Sequence, residues 1–260
     1  MDYRKKVLAV MFFSVMLTFI MSFVSIPGIP NCSKFCITRA HAEGIDNTFA
    51  SNSGEEVQDQ IKDPLQPINR LFFQINDKLY FWLLKPVSKV YKFFVPKPLR
   101  KGIRNAFHNI RMPIRFVNNL LQGKPKRAGI VLSRFLINST AGVGGLIDVA
   151  KREFNLKPYD EDFGQTLGRY GMGPGFYIDW PILGPSSPRD TIGLIGDFLL
   201  DPISYLVPDL ETDVEVNAGW QVNETSLSLG EYEDLIESAV DPYVAVRNAY
   251  YQHRKSQIKE

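Results

Sequence analysis

The chain has 260 residues, of which 30 are lysine or arginine, 28 are aspartate or glutamate and only two are cysteine. The length suffices for one large domain after any targeting segment is set aside. Both cysteines, Cys32 and Cys36, lie in the predicted leader described next, which excludes a structural disulfide and thiol chemistry in the mature chain.

The N-terminus has the pattern of an export signal. Arg4-Lys5-Lys6 precedes an apolar run over residues 7–24, and Ala40-His41-Ala42 offers a small-x-small cleavage site before Glu43. We therefore predict a signal peptide at 1–42, a flexible acidic arm at 43–62 and a single domain at 63–258. The alternative is an uncleaved anchor, because the apolar run is just long enough to span a bilayer. Neither cysteine follows the small residues of a lipid-attachment site.

Charge is divided unevenly along the mature chain. Without the predicted signal, 25 basic residues face 27 acidic ones, so the net basicity belongs to the signal. Residues 62–157 contain 19 basic and 4 acidic residues, whereas residues 158–260 contain 6 and 18. In an exported protein such a basic half excludes nucleic acid and favours an anionic lipid surface as its partner.

Ordered structure is predicted from Asp63-Pro64, where a capping residue precedes a proline at the first helical position. Apolar residues then recur at helical spacing as far as Leu79, and the run at 80–84 is apolar on every side until Pro86 interrupts it. Aromatic residues alternating with Lys85, Lys89 and Lys92 predict a helix lying in a membrane interface. The alternative is an ordinary core helix with snorkelling lysines.

Two further helices follow. An amphipathic stripe begins after Pro98, is expected to kink near Asn109 because of Pro113, and ends at Gly123. A third helix is predicted from Pro125 to about residue 137, and residues 138–145 are predicted to turn tightly into an apolar segment. This glycine-rich turn lacks the Gly-Lys-Ser/Thr ending of a nucleotide loop.

The stretch 163–190 contains five glycines within twelve positions, which disfavours a helix and predicts a loop or hairpin. Its apolar residues favour a wall that contacts lipid. Beyond it, Ser187-Pro188 predicts a helix to about residue 200, residues 208–226 a strand pair or irregular loop, and residues 230–239 a short acidic helix. Asp241-Pro242 predicts a final helix to about residue 255.

Catalysis and metal binding find little support in the sequence. There is no Gly-x-Ser-x-Gly elbow, and the mature chain has only His108 and His253. The acidic cluster Asp160-Glu161-Asp162 lacks the alternation of a calcium loop. We predict no enzyme, no cofactor and no metal.

The central stretch, together with motifs before it, resembles the MlaA/VacJ family. The matching motifs run in order over about residues 63–205 and include Asp63-Pro64-Leu65, Asn69-Arg70, residues 134–138 and Gly142-Val143-Gly144-Gly145. The resemblance implies a mostly α-helical, ring-like body in the inner leaflet of the outer membrane, often associated with a trimeric porin. It also implies removal of mislocalised phospholipid from the outer leaflet and delivery to a soluble periplasmic carrier.

A lipid with one charged end needs a path with polar groups on one side and room for its tails on the other. Candidates for the polar path and for close backbone approach are Asn69, Asn76, Asn138, Gly142, Gly144 and Gly145. The candidate hinge or gate is Gly171-Met172-Gly173. The asparagines could equally be buried bridges between helices. Two other functions remain open, a non-transporting scaffold for porins and an inner-membrane anchored binding module.

Overall fold

The computed structural model describes residues 61–207 and 209–259. The predicted signal and almost all of the predicted acidic arm lie outside the described residues. Within them the chain is mostly α-helical, with one small antiparallel sheet. The mostly α fold class is therefore confirmed, while the ring-like outline and the interfacial position remain predictions.

A long helical rod opens the described chain and has three consecutive parts, which are α1 (Gln66–Leu79), a π-helical turn (Tyr80–Leu84) and α2 (Lys85–Phe94). The predicted interruption at Pro86 is wrong. The Lys85 N–H donates to the Tyr80 carbonyl oxygen, five residues earlier. This wider turn accommodates the proline ring, which has no N–H of its own to donate, and the helix continues past it.

The next three helices follow the predicted pattern closely, and they are α3 (Lys97–Ile110), α4 (Met112–Leu121) and α5 (Pro125–Thr140). The kink expected from Pro113 is a complete break at Arg111. Gly123 ends α4 with a φ of 70°, and the Lys124 N–H closes the turn onto the Asn119 carbonyl oxygen at 2.9 Å. Helix α5 extends through Thr140, so Asn138 is helical rather than part of the predicted turn.

The glycine-rich central stretch is partly helical, which corrects the prediction of a loop throughout. After the short α6 (Val149–Arg152) and a connecting loop, α7 (Phe163–Arg169) contains both Gly164 and Gly168. A Cβ on Gly164 would lie 2.6 Å from the Asp190 Oδ1 atom. Glycine is needed here because neighbouring groups come very close, and this packing overrides its poor helix propensity.

The predicted hairpin follows α7. Strands β1 (Ile178–Trp180) and β2 (Gly184–Ser186) are antiparallel, with Ile178 opposite Ser186 and Trp180 opposite Gly184. The hairpin packs between α1 on one side and the C-terminal helix on the other.

The C-terminal part consists of α8 (Pro188–Leu200), α9 (Ile203–Leu206), α10 (Leu210–Leu227), α11 (Glu231–Ser238) and α12 (Pro242–Lys259). The strand pair or loop predicted for 208–226 is wrong, because α10 occupies this region. It packs on α2 and α3 through polar contacts, such as the Asn223 Nδ2 donation to the Arg100 carbonyl oxygen at 3.0 Å.

Asp63 was predicted to cap α1, but its side chain instead anchors the start of the domain to α12. Its carboxylate accepts hydrogen bonds from Asn69 Nδ2 at 2.8 Å, from Arg247 Nη1 at 3.2 Å and from the Tyr243 hydroxyl. The hydrophobic core lies beside this anchor as two tyrosine-rich clusters, one around Tyr80 and one around Tyr177. The first and last helices of the domain are thereby joined.

A buried ion network joins α7, α8 and α12. Arg254 Nη1 lies 2.8 Å from Asp162 Oδ2, and its Nη2 lies 2.7 Å from Asp190 Oδ1. Arg189 Nε donates to the same Asp190 at 3.0 Å. Although burial raises it, the pKa of Asp190 falls below its ordinary value because Arg254 and Arg189 stabilise the carboxylate.

Replacing Arg254 tests how far the fold depends on this network. Arg254→Met should lower the free energy of unfolding by about 3–5 kcal/mol, because two buried carboxylates lose their shared partner. Lys255→Met, the exposed neighbour on the same helix, should change it by less than about 0.5 kcal/mol. Denaturant titration of both variants measures the difference, and equal stabilities would refute the structural role of Arg254.

Asp179 is a buried carboxylate on β1 whose hydrogen-bond donor is an amide, Asn76 Nδ2 at 3.2 Å. Burial raises the pKa of Asp179 to about 7, against the opposing effect of that hydrogen bond. The folded state therefore binds a proton that the unfolded state releases at lower pH, and its stability falls as the pH rises towards about 7.

Asp179→Asn should remove this pH-dependent loss. The variant should match the wild type near about pH 4 and exceed its stability increasingly up to about pH 8, by at most about 4 kcal/mol. Free energies of unfolding measured across this range provide the test. A stability difference that does not grow with pH would contradict the assignment.

Candidate functional site

Asn69 and Asn76 lie two turns apart on one face of α1 and hold the hairpin. Asn69 is buried, donates through Nδ2 to the Tyr177 carbonyl oxygen at 3.0 Å and accepts from the Asp179 N–H at 3.0 Å. Asn76 donates to the Trp180 carbonyl oxygen at 2.9 Å and accepts from the Ile182 N–H at 2.7 Å. Both amides therefore bridge α1 to the hairpin backbone.

Asn138 performs the same kind of task at the end of α5. Its Nδ2 donates to Asp148 Oδ1 at 3.1 Å, and its Oδ1 accepts from the Ala150 N–H at 2.9 Å. Its backbone oxygen also accepts from the Gly145 N–H at 2.8 Å. Asn138 thus closes the segment between α5 and α6, residues 141–147, which we call the glycine turn.

The three candidate glycines of this turn are required for different reasons. A Cβ on Gly142 would lie 2.3 Å from the Ile147 carbonyl oxygen, so only a bare Cα fits. Gly144 has open space around it but a φ of 68°, a value that side chains disfavour. Gly145 combines a φ of 92° with a close approach to Asn109, 2.6 Å from its virtual Cβ. The turn is therefore tightly specified.

The candidate hinge Gly171-Met172-Gly173 directly follows α7 and is exposed. The Gly171 N–H donates to the Gly168 carbonyl oxygen at 3.0 Å, and the Met172 N–H donates to Leu167 at 3.1 Å. Gly171 has a φ of 88°, whereas Gly173 does not have a positive φ. A Cβ added at either glycine would have no neighbouring atom within 4 Å. Only Gly171 depends on glycine for its backbone conformation.

The described contacts place the candidate residues in three groups rather than one. Asn69 and Asn76 belong to the hairpin, Asn138 and the three glycines belong to the glycine turn, and the hinge follows α7. A shared lipid path along these groups stays a prediction. The amides themselves serve the bridging role that the sequence left open as the alternative.

His108 and the acidic cluster Asp160-Glu161-Asp162 form ion pairs and hydrogen bonds with other parts of the domain. His108 Nε2 lies 2.8 Å from Asp160 Oδ1, and Glu161 Oε1 lies 2.8 Å from Lys124 Nζ. Asp162 pairs with Arg254, as described above. The three consecutive carboxylates thus fasten the loop before α7 to basic side chains of other helices.

Polar side chains are common in the interior of the domain, and many large hydrophobic side chains are exposed. Among the described residues, 26 buried side chains are polar or charged and only 12 are hydrophobic. In the same part of the chain, 27 large hydrophobic side chains are exposed, including Trp82 at 78% and Phe93 at 71%. Buried polar groups and extensive exposed apolar surface are the informative departures from ordinary burial. Such a surface is suited to contact with lipid or with another apolar partner.

Seven of these exposed hydrophobic side chains lie on the rod that opens the domain. Its exposed hydrophobic side chains are Ile68, Leu71, Ile75, Trp82, Val90, Phe93 and Phe94. Lys89 and Lys92 are exposed beside the aromatic residues of α2. Over the residues that the structure describes, no helix is both long and apolar enough to cross a membrane. Exposed aromatic residues beside exposed lysines are consistent with the predicted interfacial helix, and its position in a membrane stays a prediction.

The sequence reading missed two features of the site. Arg254 follows the buried Tyr250 by four residues, so both lie on one face of the last helix, and this spacing was the available signal for a buried cation. Val143 and Ile182 adopt φ values of 53° and 70° in exposed turns. No sequence rule predicts a β-branched residue in that conformation.

The family comparison covers nearly all described residues. The model of the MlaA lipoprotein family matches residues 61–257. The "Intermembrane phospholipid transport system lipoprotein MlaA" of Haemophilus influenzae is 30% identical over 217 residues, which are 81% of this chain and 85% of that protein. The protein of the same name from Shigella flexneri is 33% identical over 209 residues, 78% of this chain and 80% of that protein.

A solved structure gives the same result. It concerns the structural basis for maintenance of bacterial outer membrane lipid asymmetry and superposes with a TM-score of 0.67 at 35% identity. The match covers 76% of this chain and 99% of the solved one. Sequence and structure agree that the chain belongs to the MlaA lipoprotein family.

Proposed function

We propose that the protein maintains lipid asymmetry of the outer membrane by removing phospholipid from the outer leaflet and passing it to a soluble periplasmic carrier. The observation that carries this proposal is the combination of buried polar groups and exposed hydrophobic side chains in a domain whose relatives are phospholipid transport lipoproteins. A largely polar interior and many exposed hydrophobic side chains fit a body that works in contact with hydrocarbon. A trimeric porin as neighbour is proposed from the family resemblance.

Membrane attachment is proposed to come from the folded body. The relatives are named lipoproteins, but Cys32 follows Ile29-Pro30-Asn31 and Cys36 follows Ser33-Lys34-Phe35. Neither cysteine has the small residue expected before a lipid-modified one. The exposed aromatic residues of the rod can replace an acyl anchor, since each stabilises the bound state by about 2 kcal/mol if roughly 100 Å² leaves water.

The path for the lipid is proposed to run beside the hairpin and the glycine turn. A charged headgroup cannot cross hydrocarbon without polar groups nearby. Asn69, Asn76 and Asn138 would act indirectly, by fixing the backbone segments that border the path. Gly142, Gly144 and Gly145 would permit the close backbone approach, and Gly171-Met172-Gly173 would gate the path.

Deleting the gene tests the transport function. Phospholipid in the outer leaflet should increase, and sensitivity to detergent should rise because lipid patches breach that leaflet. Chemical labelling of surface phospholipid in the deletion strain and in a strain complemented with the intact chain measures the effect. Unchanged outer-leaflet phospholipid would rule out the transport proposal.

A scaffold function is the second candidate, since exposed apolar helices could serve only to bind a porin. Phospholipid that co-purifies in mild detergent and exchanges with added lipid would support transport. A protein that binds porin but neither retains nor exchanges phospholipid would support the scaffold.

The gate is tested by two matched substitutions at equally open positions. Gly171→Val should strain the backbone by about 1–3 kcal/mol, because valine tolerates positive φ poorly. Gly173→Val adds the same side chain without that strain. We expect raised outer-leaflet phospholipid at normal protein abundance for Gly171→Val only. Full transport by Gly171→Val would show that the segment is a static wall.

A further inference from the structure

The tip of the glycine turn is apolar and exposed. Val143, Leu146 and Ile147 are 65%, 37% and 41% exposed, and Phe154 just beyond α6 is 58% exposed. Turns are normally polar because they lie in water. Val143 is also held at a φ of 53°, where glycine or asparagine would be less strained. The turn therefore presents a hydrophobic side chain outward in spite of backbone strain.

The backbone of this turn is largely satisfied from within. The N–H groups of Gly144, Gly145 and Ile147 donate to the carbonyl oxygens of Ser139, Asn138 and Gly142 at 3.2, 2.8 and 2.9 Å. An unsatisfied peptide group is strongly disfavoured in hydrocarbon. These three bonds reduce that cost, because the three donors stay paired when the tip leaves water.

Basic side chains lie on the two helices that adjoin the glycine turn. Asn105 Nδ2 donates to the Leu146 carbonyl oxygen at 3.3 Å, which places the middle of α3 against the turn. Lys101 and Arg104 are exposed on this part of α3, and Lys151 and Arg152 are exposed on α6. We call these four residues the basic collar.

Acidic groups near the collar are few. Asp148 pairs with Arg134 at 2.9 Å, so its charge is offset, and Glu153 is exposed. Four exposed cations on the helices that adjoin three exposed aliphatic side chains match the chemistry of an anionic bilayer surface, with phosphates above and acyl chains below.

We propose that the glycine turn and its basic collar dock on an anionic phospholipid surface. Val143, Leu146 and Ile147 enter the acyl region, and the collar contacts the headgroup phosphates. A bilayer accepts such a small apolar tip, whereas a stable protein interface buries on the order of 800 Å² on each partner. The inference deepens the proposed function by naming the chemistry of the lipid surface, and it relies on that function only for the location of the protein.

Depth-dependent quenching tests the insertion of the tip. The full chain carrying Cys32→Ser, Cys36→Ser and Val143→Cys is labelled with an environment-sensitive fluorophore and mixed with phosphatidylcholine–phosphatidylglycerol vesicles. Quenchers attached to the acyl chains should reduce the fluorescence at residue 143 several-fold more than at a Glu237→Cys control, an exposed acidic position on α11. Equal quenching at the two positions would overturn the proposal.

Charge variants test the collar. A variant with all four collar residues replaced by glutamine should bind these vesicles at least about tenfold more weakly, with little change on pure phosphatidylcholine. Lys126→Gln with Lys255→Gln, at two exposed lysines elsewhere, should change binding less than about twofold. Unchanged binding by the collar variant would contradict the electrostatic part.

Val143→Asn separates docking from folding, because asparagine tolerates positive φ. This variant should be at least as stable as the wild type and yet lose acyl-chain quenching at a label on residue 147. Recruitment of an acidic protein by the turn without vesicle-dependent quenching would overturn the membrane assignment. Intact docking with no effect of gene deletion on outer-leaflet lipid would instead count against the transport function alone.

Discussion

The burial of one arginine between two carboxylates constrains the architecture more than any hydrophobic contact. Arg254 is withdrawn from water, so Asp162 and Asp190 must both lie within hydrogen-bond distance. Asp162 also caps α7 by accepting from the Gln165 N–H at 2.8 Å, and Asp190 lies in the first turn of α8. The start of each helix, and the hairpin between them, is thereby set relative to α12.

This arrangement explains why glycines occur at the contact between α7 and α8. One guanidinium can reach both carboxylates only if α7 and α8 approach closely. A Cβ on Gly193 would lie 2.5 Å from the Gly164 nitrogen, and one on Gly196 would lie 2.5 Å from the Phe163 ring. The small residues therefore permit close contact between α7 and α8, and the ion network holds the starts of the two helices next to each other.

The sequence predicted those elements whose signals are local. Ser187 and Gly123 mark helix ends because capping and positive φ depend on one residue and its neighbours. Helix α10 was missed because its buried residues, such as Asn217, Asn223 and Ser226, are polar and give no apolar stripe. The asparagines of the candidate site were identified by type, but Tyr177 and Asp179, the partners of Asn69, lie 108 and 110 residues away in the chain. Only the folded structure brings these together.

A polar interior has a physical advantage for a body surrounded partly by lipid. Hydrophobic packing holds a domain together because water surrounds it, and this driving force is lost where acyl chains cover the outside. Hydrogen bonds such as those of Asn69 and Asn76 to the hairpin become stronger in a medium of low dielectric. If the proposed membrane contact covers the exposed face of the rod with hydrocarbon, these polar contacts would still keep the hairpin and the glycine turn in place.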